Sequence, residues 1–570
     1  MAGASTGPRS PPAPETAPPQ PVRASPACDD VAVTSSSGPS LTRAAGLAGS
    51  ATMASRILGL VREQVLAHAF GASHQMDAFN VAFRLPNLVR DLFAEGAMTA
   101  AFVPTFSRTL ERDGREAAWT LGSRAITALL VVTAFIAVAG IVFAEPMTRA
   151  FAADFAEVPG KFELTVWLTR LMFPFLPLVA VAVAAMGMLN ALGRFFVPAL
   201  APAMFNIASI ACIVLLVPLM PGFGVAPVTA LAIAVLAGGL GQVLLQWPQL
   251  RREGFRYRFD LAPRDPGLRE ILLLMGPGTL GVAATQFNVY VNTVLATSQQ
   301  PGAVSWLNYA FRILYLPIGL FGVAIASASL PLMSQHAARE DMAALRQTLS
   351  HAVRLVLALT VPATFGLIAL GVPIVRVIFE RGHFLPTDTQ AVALALMGYA
   401  PGLVGYSAVK VLSPTFYALR DSRTPVIVSV TSVLTNALLS VLLARSLGFV
   451  GLSLGTAVAS ILNACLLLVL LRRRLGPIGI ARLASTFLRI TVASTVMGAA
   501  AWGLHEWLAT HVIAGHGFTA QVVRVGGSIG VALVVLVVMA RVLRVQEFDE
   551  AFGTLLRRLR GRRAAKGARD

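Results

Sequence analysis

The chain has 570 residues, of which 56% are hydrophobic and 13% are Asp, Glu, Lys or Arg, about half the charge of an ordinary soluble domain. That balance excludes a string of soluble domains and calls for lipid around most of the chain. A formal net charge of +18 at such hydropathy is expected to meet anionic lipid headgroups, with no nucleic acid as partner.

Residues 1–40 carry nine prolines among Ala and Ser and no apolar core of the kind a secretory signal needs, so they are expected to form a disordered cytoplasmic leader. Apolar runs then recur almost without pause, and fourteen spanning helices are expected in an all-α polytopic membrane protein. Six of them, near 44–70, 77–107, 118–144, 164–191, 196–219 and 225–248, make a first lobe over residues 41–250. A basic cytoplasmic linker, 251–269, leads to six more near 270–297, 303–334, 348–372, 389–418, 425–445 and 450–471, which make a second lobe over 270–474. Spans near 485–505 and 520–543 form an appendage, 475–545, followed by a basic tail, 546–570.

With the N-terminus inside, eighteen arginines fall in inward loops against five basic residues in outward ones. The positive-inside rule then places both termini on the cytoplasmic side of the membrane. Cys28, Cys212 and Cys465 have no metal-ligand spacing, and the eight histidines form no His-x-x-His or Glu-x-x-His pair. No metal, cofactor or enzymatic activity is therefore expected.

The chain repeats itself. "NVAFRLPNLV" at 80–89 returns as "NYAFRILYLP" at 308–317, matching Asn80 to Asn308 and Arg84 to Arg312, and "FVPTFS" ending at Ser107 answers "SLPLMS" ending at Ser334. Because each six-helix unit crosses an even number of times, the two lobes are expected to be parallel copies around a central cavity.

The first lobe carries charge where lipid forbids it. Arg56, Arg62 and Glu63 sit within the first span, and Asp77, Arg84, Arg90, Asp91 and Glu95 along the second; an arginine at mid-span costs about 2.5–3.5 kcal/mol on insertion scales. At 100° per residue Arg56 and Glu63 share a face, Arg62 lies about 120° from Arg56, and Asp77 and Arg84 share a face, which suits the wall of a broad cavity. Pro86 is expected to kink the second span and free the carbonyl near residue 82. The second lobe adds Arg312 and Lys410, while "TLGVAATQFNVYVNTVLA" in the seventh span has no charge. A cationic cavity with few acids suits an anionic cargo, since guanidinium grips phosphate bidentately and stays ionised.

The stretches "SRILGLVREQVLAHAFG", "DAFNVAFRLPNLVRDLFAEGAMTAAFVP", "AVSWLNYAFRILYLP" and "VKVLSPTFYALRDSRTP" resemble the MurJ (MviN) family of lipid II flippases, over about residues 44–545. The resemblance implies the fold of the multidrug/oligosaccharidyl-lipid/polysaccharide exporters and a cargo of undecaprenyl-pyrophosphate carrying a disaccharide-pentapeptide. It also implies alternating access with the polyprenyl tail left in lipid, a monomer, and cell-wall synthesis proteins as further partners. By motif match the family's essential cavity arginines fall on Arg56, Arg62, Arg90 and Arg312 and its essential aspartate on Asp77; the charges of the spans add Arg84 to the expected substrate-binding set, with Asn87, Glu95 and Lys410 in support. The chain departs from the family at Asp91, where a second arginine is common, at Phe311, where an acid can stand, and at Tyr315, which replaces a glutamate. A flippase for another polyprenyl-pyrophosphate oligosaccharide and a multidrug exporter of the same fold remain the alternatives, the latter disfavoured by arginines where carboxylates would receive cationic drugs.

Overall fold

A computed structural model of the protein describes residues 39–91, 99–512, 517–545 and 547–548, with Gly3 and Gly515 as isolated positions. Among these residues every regular element is helical. The first nine helices are α1 (Pro39–Phe70), α2 (His74–Arg90), α3 (Thr99–Arg112), α4 (Gly114–Val142), α5 (Ala144–Ala152), α6 (Lys161–Met172), α7 (Phe175–Ala191), α8 (Phe196–Leu216) and α9 (Thr229–Arg252). The next nine are α10 (Pro266–Thr297), α11 (Ala303–Pro317), α12 (Val323–Ala338), α13 (Met342–Ala369), α14 (Gly371–Phe379), α15 (Pro386–Tyr399), α16 (Gly402–Ala418), α17 (Arg423–Leu447) and α18 (Phe449–Leu475). Helices α19 (Ile480–Trp507) and α20 (Phe518–Val542) follow.

Local chemistry sets several boundaries. Asp265 caps α10 by accepting from Leu268 N–H at 2.9 Å, with Pro266 opening the first turn, and Asp341 caps α13 through Ala344 N–H at 2.9 Å; each side chain satisfies a donor that a helix start leaves orphaned. Helix α2 runs through Pro86 to Arg90 without interruption, and Ala82, beside the carbonyl expected to meet water, is fully buried. The break falls instead after α11, where residues Ile318–Gly322 form a π turn.

Among the described residues ten helical stretches, counting α6 with α7 and α11 with α12 as one each, are long and apolar enough to cross a membrane, or eleven if the pair α15 and α16, bent by 46°, is one span. The expected spans at 44–70, 77–107 and 270–297 are not among them. Helix α2 has 17 residues, with 92–98 outside the described ones, whereas α1 and α10 are interrupted by Arg56, Arg62, Glu63, Gln286, Asn288 and Asn292. The helices that fall short are thus the ones that turn polar groups inward. Elsewhere the outer faces are greasy, as with Val131, Phe135, Val138 and Val142 on α4 and Leu434, Leu438 and Leu442 on α17, the exposed apolar belt that lipid covers.

Packing divides the helices. Helix α8 lies on α1 and α9, α7 on α3, α4 and α9, and α6 on α2; later in the chain α18 lies on α15, α16 and α17, and α13 on α12 and α16. Helix α19 packs on α13 and α20. A core built from both halves, with Val81 and Leu85 of α2 against Leu307, Tyr309, Ile313 and Leu396, joins them at one end of the bundle. The seam between α2 and α11 therefore decides what lies at the centre.

Candidate functional site

At its sealed end the seam is held by one carboxylate. Asp77, 1% exposed in the first turn of α2, accepts from Lys161 Nζ at 3.0 Å and Gly302 N–H at 2.7 Å on one oxygen, and from Ser305 N–H at 3.0 Å and Ser305 Oγ at 2.7 Å on the other. Gly302 and Ser305 bracket the start of α11, so a first-half carboxylate caps a second-half helix and meets the positive end of its dipole. Gly302 has φ +95°, and a Cβ there would stand 3.0 Å from Ala72 O, so glycine alone allows this approach. Lys161, 3% exposed, also rests 3.9 Å from the Phe155 ring. Nearby, His383 N–H donates to His68 O at 3.0 Å and Tyr309 Oη to Gly71 O at 3.2 Å. Asp77 was expected to touch cargo; its oxygens are instead engaged by the protein, and it lines neither cavity described below.

One turn further along, the repeated phrases meet. Asn308 Nδ2 donates to Asn80 Oδ1 at 2.9 Å and Asn80 Nδ2 to Ser305 Oγ at 3.1 Å. Their repeat partners four residues on, Arg84 and Arg312, both line a pocket of about 90 Å³ with Arg62, Glu63 and Asn87. Glu63 accepts from Arg62 at 2.5 Å and lies 3.5 Å from Arg312 Nε. Arg62 is further held 5.4 Å above the Phe205 ring.

Arg84 has no hydrogen bond or ion pair to any described residue, while Arg312 keeps 52% of its side chain exposed. Three guanidiniums against one carboxylate leave a formal charge of +2. The Arg62 Nε and the Asn87 Oδ1 are buried without partners. A buried group left unsatisfied costs about 1–3 kcal/mol, so the pocket offers an unpaired donor and an unpaired acceptor among the described residues.

Arg84 and Asn308 also line a second cavity of about 940 Å³, which is of different character. Its polar wall includes Gln286, Asn288 and Asn292 of α10 with Asp91, Lys410 and Ser413, and its rings are Phe311, Tyr315, Tyr399, Tyr406 and Tyr417. Asn436 ties α17 to this wall, donating to Asn292 Oδ1 at 3.1 Å. Lys410 is the single formally cationic lining residue besides Arg84.

The remaining expected residues take other places. Arg90 binds Asp91 through Nε at 3.0 Å and Nη2 at 2.7 Å, and Gln286 donates to the other Asp91 oxygen at 3.1 Å. Arg56 crosses to the π turn of the second half, where a Cβ on Gly319 would stand 2.7 Å from Arg56 Nη1. Glu95 lies outside the described residues. Phe311, where an acid would have allowed a charge pair, packs edge-on to Tyr399 and Tyr406. Lys161, Asn80, Asn308 and the amides of α10 are the site residues that sequence reasoning did not assign. An Asn-x-x-x-Asn repeat within a membrane helix was the available signal for Asn288 and Asn292.

Residues 66–521 match the family model described as lipid II flippase MurJ. The chain is 34% identical over 414 residues to a probable lipid II flippase MurJ of Vibrio cholerae, covering 71% of this chain and 78% of that one. It is 36% identical over 411 residues to a lipid II flippase MurJ of Burkholderia cenocepacia, covering 71% and 79%. Among solved structures it resembles a lipid II flippase MurJ in an inward closed conformation, with TM-score 0.70, 25% identity and coverage of 87% of this chain and 99% of that one. An inward-facing multidrug transporter of the MATE family, with TM-score 0.63 and 14% identity, shares the fold. The chain is a multi-pass membrane protein that belongs to the MurJ lipid II flippase family.

Proposed function

We propose that the protein moves lipid II, the polyprenyl-pyrophosphate-linked peptidoglycan precursor, from the inner to the outer leaflet of the cytoplasmic membrane by alternating access. The observation that carries this reading is the seam pocket, where Arg62, Arg84 and Arg312 face a single carboxylate, Glu63. Carrying a pyrophosphate through hydrocarbon unaided strands charge where each unpaired polar group costs several kcal/mol. A pocket with surplus guanidiniums replaces the lost hydration with bidentate, charge-assisted bonds. The neighbouring cavity, rich in amides and tyrosines, offers neutral donors and flat rings that suit sugars and peptide.

The distribution of arginine supports an orientation with the linker and both termini in the cytoplasm. The Asp77 clamp then closes the outer side, leaving the cationic pocket to be reached from within. Opening outward requires Asp77 to release the α11 N-terminus and Arg56 to slide off Gly319. In this reading Asp77 acts on the closure of the seam, and Arg56, Arg62, Arg84 and Arg312 act on the anion. The protein works as a monomer, one seam per chain.

The test is depletion of the protein in its host, with lipid II accessibility measured on each membrane face. Inward-facing lipid II is expected to accumulate and to be cleared by wild type and not by Arg56→Ala. Unchanged accessibility on depletion overturns the flippase reading.

A further inference from the structure

Away from the seam, a second strongly basic cavity of about 610 Å³ lies between α13, α19 and the turn that follows α20. Four arginines line it, Arg354, Arg482, Arg489 and Arg544, against one carboxylate, Glu547, leaving a formal +3. It shares no lining residue with the seam pocket or its neighbour. Arg354 donates to Glu547 at 2.9 Å, and its own Nε is buried with no partner. The guanidinium groups of Arg482, Arg489 and Arg544 make no hydrogen bond or ion pair with any described residue.

The backbone makes room for this charge. Arg544 holds φ +51°, a left-handed conformation costing roughly 1–2 kcal/mol for a residue with a side chain. In that turn Val545 N–H donates to Ala540 O at 2.9 Å, the same closure that follows α9, where Phe255 N–H donates to Leu250 O at 3.0 Å and Gly254 takes the positive φ. A long cation therefore stands where glycine is ordinary.

The depth of the cavity is also informative. Arg354, Arg489 and Arg544 each stand where a polar helix end meets an apolar run: "LVLALTVPATFGLIA" follows Arg354, "ITVASTVMGAAA" follows Arg489, and "VALVVLVVMA" precedes Arg544. Charged residues at that boundary sit at headgroup level. Just beside them Phe487, Leu488, Val538 and Val542 are exposed.

We infer that this cavity binds the phosphate headgroup of an anionic membrane phospholipid, with the acyl chains lying on the apolar faces of α19 and α20. Guanidinium forks from α19 and the α20 turn bracket the phosphate oxygens, and the Ser485 and Thr486 hydroxyls supply further donors. Basic pockets between membrane helices are suited to this task. Free phosphate presents the same oxygens without the chains, and the experiment separates the two sources.

Purified full-length protein in detergent is titrated with phosphatidylglycerol or phosphatidylcholine, and bound lipid is counted by mass spectrometry of the intact complex. Wild type is expected to prefer phosphatidylglycerol. The variant R482Q/R489Q/R544Q spares the buried Arg354 pair and so keeps the fold, and it should lose roughly tenfold or more in phosphatidylglycerol affinity with phosphatidylcholine binding unchanged. The seam variant R84Q/R312Q should keep the preference. Wild-type binding by the triple variant, or loss confined to the seam variant, overturns the inference. Displacement of phosphatidylglycerol by excess inorganic phosphate makes a soluble anion the occupant and overturns the lipid assignment.

Discussion

Two buried carboxylates stand on neighbouring helices of this seam, and their surroundings are opposite. Asp77 has four donors from three residues, two of them backbone N–H groups, at 2.7–3.0 Å. Glu63 has one close arginine, a second at 3.5 Å, and a third guanidinium, Arg84, in the same pocket with no hydrogen-bond or ion-pair partner among the described residues. The difference teaches where the molecule is closed and where it waits. One carboxylate is fully satisfied by protein donors, and the other is outnumbered by guanidiniums.

Removing Asp77 is the harshest way to break that contrast. Asp77→Ala leaves Lys161 charged at 3% exposure and uncaps α11, and loss of one partner of a buried pair costs about 3–5 kcal/mol. Thermal unfolding in detergent should show the largest fall of any seam variant. A midpoint near that of wild type would mean that the latch does not hold the resting state.

Glu63→Gln sharpens the comparison from the other side. The lost charge-assisted bond to Arg62 should cost about 1–3 kcal/mol, less than the Asp77 change, while the pocket's formal charge rises from +2 to +3. Binding of a pyrophosphate lipid, followed at two salt concentrations, should tighten and become more salt-sensitive. Weaker binding at unchanged fold would make Glu63 a ligand in its own right.

Asn308→Ala is the mildest. It removes one neutral bond, Asn308 Nδ2 to Asn80 Oδ1, worth about 0.6–1 kcal/mol between membrane helices. Its effect on unfolding should be barely measurable and should vanish when Asn80→Ala is already present. Additive losses in that double-mutant cycle would show that the two amides do not act on each other.

Much of this was legible beforehand. Hydropathy located the apolar helices, and the charges within α1 and α2 pointed to the stretch where Arg62 and Arg84 line a common pocket. The repeated phrase placed Arg84 opposite Arg312, and the contact between Asn80 and Asn308 shows why a repeat is informative: equivalent residues meet at the pseudo-axis. The expected count of fourteen spans stands at ten or eleven by apolarity among the described residues, because hydropathy penalises the polar helices α1 and α10 and the 77–107 span includes residues 92–98, which are not described.

What could not be read was who neutralises whom. Lys161 looked like a loop cation because it follows the Gly160 turn, yet its side chain folds inward to Asp77. The backbone donors on Asp77 belong to Gly302 and Ser305 because of where α11 starts, not because of their side chains alone. Arg90 looked equivalent to Arg84 in sequence, and Asp91 next to it takes its charge.

The most direct measurement is binding of lipid II to purified protein carrying Arg84→Gln with Arg312→Gln, compared with wild type at matched thermal stability. Each lost guanidinium contact to phosphate removes about 1.5–3 kcal/mol, so affinity should fall by two orders of magnitude or more, with the unfolding midpoint held or raised. Undiminished binding by a stably folded double variant would contradict the claim that the seam's surplus guanidiniums are there for a diphosphate.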